Sequence, residues 1–264
     1  MINENKQYHQ SIDEISNSGL KLINQAPAKY YYKYIQPIET DKEYDEVKSD
    51  ALIIGSAFHT LVLEPHLFTD LFVVSPIFEG TGSRDRKKAF LENNKGKYPL
   101  SIKNYQMVEG MRDAIMNHPV CKDLLEQIHI IVEHVLTWTN KETGVACKIK
   151  PDAFNTKKRI CIDLKSTDDA SDNGFRKSAR KFRYHVQAPF YLEGLHANGF
   201  NPDSFVFIAV EKEPPFLVNL FYADGETLAN GREIYLQDLE KYRESKKTGV
   251  WDGYGNEIKP LNIF

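Results

Sequence analysis

The feature that most constrains this chain is the stretch 134–167, where helical spacing gives way to strand alternation. HVLTWT (134–139), the turn NKETG (140–144) and VACKIKPDAF (145–154) predict a β-hairpin. The turn NTKK then leads into a third strand, RICIDLKST (159–167). Side chains two apart on a strand point the same way, so Asp163 and Lys165 share a face while Ile162 and Leu164 enter the core. Asp152 closes the second strand, and a meander sets it beside Asp163. Two carboxylates and an ammonium thus converge at one sheet edge.

Helical patterns surround these strands. Residues 11–36 read as helical, capped by Ser16 or Ser18, with Leu20, Leu22 and Ile23 on the apolar side and an interruption at Pro27 before Tyr30, Tyr31 and Tyr32. One or two of the tyrosines are expected to pack this region onto the core, in preference to stacking on unpaired bases. An acidic, loop-like stretch (37–50) precedes a buried helix, ALIIGSAFHTLVLE (51–64), which Pro65 ends. Residues 78–100 read as a mobile loop running into a short helix, and 101–128 have helical spacing with Met107, Met111, Ile115 and Leu124 inside. Beyond the third strand come a basic helix (175–195), strands at 204–212 and 217–223, and a last helix at about 225–245. Without an internal repeat or a linker, the order predicts one α/β domain over 1–264. It divides into a mainly helical part (1–130), a catalytic sheet with its helix (131–223) and a C-terminal helix and tail (224–264).

The net charge of −3 means that any contact with nucleic acid must come from a local basic patch. Arg176, Lys177, Arg180, Lys181 and Arg183 crowd the start of the 175–195 helix, and Arg84, Arg86, Lys87 and Lys88 lie beside Gly80 and Gly82. Phosphate contact is the reading preferred for the first cluster, over a plain solvated helix face, and the second, with Arg84 and Arg86, reads as a mobile arm that grips the DNA backbone. The three cysteines, Cys121, Cys147 and Cys161, form no CxxC pair and are too few for a four-cysteine iron–sulfur cluster. They read as reduced. The polar N-terminus has no signal-peptide core and no apolar run is long enough to span a bilayer, so a cytoplasmic protein without membrane contact is expected.

The Asp152, Asp163 and Lys165 set suits metal-assisted phosphodiester hydrolysis. Mg²⁺ takes oxygen ligands, and an adjacent lysine orients water or offsets charge in the transition state. The competing reading of Asp-x-Lys is a surface ion pair. Two further patterns mean little alone: Gly55-x-x-x-His59, whose histidine can equally be a core residue, and Gln187-x-x-x-Tyr191, whose i,i+4 spacing puts both on one helix face. Pro189 lies between the last two and predicts a kink or a helix held by packing.

Taken in order, GxxxH, PD, DxK and QxxxY resemble the RecB-like branch of the PD-(D/E)XK nucleases, and in particular the RecE group of exodeoxyribonuclease VIII nuclease domains of bacteria and prophages. GSAFHTLVLEP, TGVACKIKPDAF, IDLKSTDDA and FRYHVQAPFYLEGL carry the likeness, which runs from residue 8 to about 215. The resemblance implies a central mixed β-sheet flanked by helices. It implies metal ligation by His59, Asp152, Asp163 and the Leu164 carbonyl, with Lys165 as the catalytic lysine and Gln187 and Tyr191 in support. It further implies a Mg²⁺ enzyme, with Mn²⁺ an open alternative, that resects linear double-stranded DNA 5′→3′. The 3′ strand would pass to a RecT-type annealing protein, and the enzyme would form a ring-like homo-oligomer. Two alternatives stay open: a RecB-like endonuclease or CRISPR-type processing nuclease without an iron–sulfur cluster, and an inactive DNA-binding module.

Overall fold

A computed structural model describes residues 12–39 and 49–261. Most of the acidic stretch at 37–50, the start of the RecE-like segment at 8–11 and the last residues of the tail lie outside the described residues. The chain is a mixed α/β structure with a central sheet between layers of helices. Its strands are β1 (Phe72–Ser75), β2 (Tyr98–Ser101), β3 (Ile130–Val132), β4 (Leu136–Thr139), β5 (Ala146–Ile149), β6 (Ala153–Asn155), β7 (Ile160–Thr167), β8 (Ser204–Glu211) and β9 (Val218–Tyr222). Its main helices are α1 (Asn17–Gln25), α2 (Asp50–Leu63), α3 (Ser83–Asn93), α4 (Ile102–Asn117), α5 (Pro119–Leu124), α6 (Asp172–Phe182), α7 (Tyr184–Ala197) and α8 (Gly225–Thr248).

The central sheet has the order β3-β6-β7-β8-β9, antiparallel except for the parallel pair β7–β8. Alternation on β7 and β8 sorts their side chains into two cores. Cys161, Phe205, Phe207 and Ala209 face a cluster that includes Leu20 of α1, Phe175 of α6, Phe190 of α7 and Leu239 of α8. Ile162, Leu164, Ile208 and Val210 face the other, with Phe58 of α2 and Met111 and Ile115 of α4. The sheet therefore has no solvent-washed face at its centre, and its apolar residues are inside whichever way they point.

Several expectations are met. Ser16 caps α1, accepting from the Gly19 N–H at 3.3 Å. Tyr30 is buried and stacks on Trp251, so at least this tyrosine serves packing, while Tyr32 is exposed. The three cysteines are free and buried. Among the described residues, no helix is long and apolar enough to cross a membrane.

Others need correction. The segment 145–154 is not one strand: β5 pairs with β4 in a separate two-stranded sheet, and after Lys150-Pro151-Asp152 the chain enters the central sheet as β6. Proline lacks the N–H that a continuous ladder needs, which marks the crossing. The short helix expected within 78–100 is present as α3, but alternation did not reveal the parallel pair β1 and β2, whose second strand begins at Tyr98 inside that stretch. The 175–195 helix is two helices. The break falls at Arg183, which is left-handed (φ 63°), and not at Pro189, which lies inside an unbroken α7.

Packing explains why α7 tolerates its proline. Pro189 cannot donate to the His185 carbonyl one turn back. Gly231 of α8 comes up against that same carbonyl: a Cβ on it would lie 1.7 Å from the oxygen and 3.0 Å from Pro189 Cγ. Glycine presents only hydrogen there, so α8 closes over the deprived carbonyl and a Cα–H can face it. On another side of α7, Gly194 admits Trp138 and Ile149 of the β4–β5 hairpin. Glu193 accepts from Trp138 Nε1 at 3.1 Å and Asn140 Nδ2 at 2.7 Å.

Candidate active site

The site is assembled around β7, with contributions from both layers. Asp152 sits at the crossing between β5 and β6. The register Ala153↔Ile162 sets it across from Asp163, as the meander requires. Asp152 Oδ2 accepts the Leu164 N–H at 2.8 Å, and Oδ1 lies 3.3 Å from His59 Nδ1. His59 reaches in from α2, and its Nε2 is 3.0 Å from the Leu164 carbonyl oxygen. One imidazole therefore spans a carboxylate and a backbone carbonyl.

Glu133, which follows β3, joins them. Its backbone is left-handed (φ 50°), and its N–H donates to the Asp152 carbonyl at 3.1 Å. One ligand atom each from His59, Glu133 and Asp152 fall within 4.8 Å of one another. Lys150 forms an ion pair with Glu133. Sequence reasoning missed Glu133; the available signal was an acidic residue interrupting the apolar run IIVEHVL (130–136).

Asp163 stands beside this set and is 2% exposed. Gln187 of α7 donates Nε2–H to its Oδ1 at 2.5 Å, and Lys165 forms an ion pair with its Oδ2. The Lys165 ammonium also lies 4.8 Å from the centroid of the Tyr184 ring. Tyr191, one turn beyond Gln187, packs edge-on against Phe205 at 6.1 Å.

These environments move proton affinities. Burial pushes the Asp163 carboxyl up to about 6; Lys165 opposes this and the Asp152 charge adds to it. Burial also acts to raise Asp152, but His59, Lys165 and the Leu164 N–H outweigh it and hold this carboxyl below the usual aspartate range. Burial disfavours the His59 cation, yet the adjacent Asp152 carries the imidazole above its ordinary value. Glu133 is raised by burial and then by Asp152.

One imidazole, adjoining carboxylates and a backbone carbonyl make an oxygen-rich set that fits a hard divalent cation. His59, Glu133, Asp152 and the Leu164 carbonyl would hold it, with Asp163 alongside.

The basic residues fare differently. Arg176, Lys177, Arg180 and Lys181 are exposed on α6. Arg183 is not part of that surface, which corrects its assignment to DNA contact. Its guanidinium turns inward to pair with Asp238 of α8, a residue 2% exposed that also accepts from Asn24 Nδ2 at 2.9 Å. Arg84 is exposed on α3, whereas Arg86 donates to the carbonyls of Thr81 at 2.8 Å and Glu79 at 2.6 Å, pinning its own loop.

The sequence matches the PDDEXK-like domain of unknown function (DUF3799) over residues 16–261. The chain belongs to this family. Among solved structures, this PDDEXK-like chain is similar to a provisionally assigned exonuclease from Eubacterium rectale. The identity is 18%, the alignment covers 95% of this chain and 91% of that one, and the TM-score is 0.63. That likeness shows a shared fold. A phage-related exonuclease from Haemophilus somnus 129PT aligns at 14% identity over 90% of this chain and 96% of that one, with a TM-score of 0.38. No curated protein matches the sequence. Membership of the PDDEXK-like family, with this fold and the Asp152, Asp163 and Lys165 set in place, makes the chain a nuclease.

Proposed function

We propose that this nuclease is a divalent-metal-dependent exodeoxyribonuclease that degrades linear double-stranded DNA 5′→3′ and leaves 3′ single strands for recombination by annealing. The observation that carries the reading is that His59 of α2 and Asp152 from the crossing before β6 meet Asp163, the Leu164 carbonyl and Lys165, which β7 itself carries. The preferred metal is Mg²⁺, with Mn²⁺ the competitor.

When bound, the metal would polarise a phosphoryl oxygen and acidify a water. The chain's own residues do the rest. Asp152 is oriented by the Leu164 N–H, so its free electron pairs have fixed directions. Gln187 holds one oxygen of Asp163 and leaves the other to Lys165. Lys165 thereby keeps an ammonium next to the acidic cluster, where it can orient the attacking water or offset charge that develops on the phosphate. Arg176, Lys177, Arg180 and Lys181 present an exposed basic face that suits the DNA backbone irrespective of sequence. Arg84 offers a further contact from α3.

The end-dependent mode follows if the subunits form a ring, since a closed circle cannot thread one. The product strand would then suit a RecT-type annealing partner. The test is to incubate the protein with linear and covalently closed duplex DNA, in Mg²⁺ and in EDTA. Linear DNA should be resected from its 5′ ends in Mg²⁺ only, and closed circles should survive. Efficient cutting of closed circles would replace this reading with an endonuclease. Binding without cleavage in either metal would make the chain a DNA-binding module.

A further inference from the structure

We infer that Tyr184 is a positioning residue for the reaction: its ring face fixes the Lys165 ammonium against Asp163. This rests on the nuclease reading of the site. The Lys165 side chain is only 17% exposed, and its ammonium lies between two fixed partners, Asp163 Oδ2 and the Tyr184 ring at 4.8 Å. An ammonium on a flexible four-carbon stem is a point charge with little directional preference. The ion pair alone leaves it free to swing about the carboxylate, and a negative ring face on the other side removes that freedom.

The ring itself is held. Tyr184 stacks on Phe207 of β8 at 5.6 Å and 27°, and on Phe182 of α6 at 5.8 Å and 26°. Phe175 closes a third side at 5.8 Å. Tyr184 is also the first residue after the left-handed Arg183, so the elbow between α6 and α7 sets where the ring points. The Arg183–Asp238 pair fixes that elbow. A chain of contacts thus runs from buried Asp238 to Lys165.

The face of the ring matters here, not its hydroxyl. Tyr184→Leu keeps apolar bulk and loses the face; Tyr184→Phe keeps the face and loses the hydroxyl. In Mg²⁺ with linear duplex, Tyr184→Leu should lower kcat by roughly tenfold, with KM and DNA affinity near those of the unmodified protein. Tyr184→Phe should recover the rate that Tyr184→Leu loses. A second measurement does not depend on cleavage: reductive methylation of the folded protein, followed by peptide mass spectrometry. Lys165 should react faster in Tyr184→Leu than in Tyr184→Phe or the parent. Equal Lys165 reactivity in the parent and both variants overturns the inference, as does a Leu variant with full kcat. A Phe variant as slow as Leu would assign the effect to the hydroxyl and also overturn it. Should Tyr184→Leu fail to fold, as read by circular dichroism, Tyr184→Met provides the same comparison. If the parent cleaves no DNA, the nuclease reading fails while the methylation pattern still decides the placement of Lys165.

Discussion

The backbone N–H of Leu164 donates to Asp152 Oδ2 at 2.8 Å, tying the start of β6 to the middle of β7. Asp152 is therefore aimed through one oxygen by main chain, while His59 Nδ1 faces the other at 3.3 Å. Asp163 is in the opposite position, because its two oxygens are held by the side chains of Gln187 and Lys165.

That difference decides what Asp163→Ala does. Cleavage should be lost, to at least roughly a thousandfold below the parent, since catalytic electrostatic groups are worth that much. Stability should fall too, by about 3 kcal/mol, because the Lys165 ammonium loses its counter-charge in a nearly closed site. Urea denaturation and a cleavage assay on the same preparation check both. An Asp163→Ala protein with full activity would remove the assignment.

Replacing basic residues should separate grip from architecture. Arg180→Ala with Lys181→Ala should weaken binding to all duplexes alike. The slope of log affinity against log salt should become shallower by about 0.9 for each phosphate contact removed. Arg183→Ala should leave that slope unchanged. It should cost about 3 kcal/mol of stability, because Asp238 is left buried without its partner.

Metal affinity should rise with pH. Asp163, raised to about 6 by burial, binds a proton below that value, and a cation must displace it. His59 stands above its ordinary value, so it too competes as a protonated group, and the gain continues past pH 6. The sign is thus weak binding in acid and stronger binding toward pH 8. Titration calorimetry with Mg²⁺ or Mn²⁺, run in buffers of different ionisation enthalpy, should show proton release that shrinks as pH increases.

Gly231→Ala should destabilise the fold by about 3 kcal/mol, since the added methyl would meet a backbone carbonyl that cannot rotate away. The replacement Gly225→Ala in the same helix meets nothing within 4 Å and should cost far less. Denaturant midpoints of the two variants make the comparison.

How much of this was legible in the sequence depends on whether the information was local. The alternation of β7 and the i,i+4 spacing of Gln187 and Tyr191 are local, and they located the sheet face and the helix. The meeting of Asp152 with Asp163 needed only a meander, which the turn NTKK announces. Glu133 was hidden because its left-handed backbone has no glycine or asparagine to mark it. The sheet change at Lys150-Pro151 was missed because residues 145–154 read as one continuous strand, with Pro151 marking the crossing. Pro189 drew attention to the wrong place: its missing hydrogen bond is offset by Gly231, a residue far along the chain. The real break, Arg183, has no helix-breaking chemistry and is maintained by Asp238. For His59 the spacing alone left a core role open; the resemblance implied its place at the site, and its contacts with Asp152 and the Leu164 carbonyl appear only with α2 set against β7.

The elbow at Arg183 makes two tools from what one straight rod would have joined rigidly. The first tool, α6, is a handle whose outer charges touch little inside the molecule. The second, α7, is a lever whose inner face carries Gln187 to the chemistry. Because the joint is clamped from α8, the handle's charge can be rewritten without detuning the lever. An engineer who wants a new grip should edit the handle and leave the clamp alone.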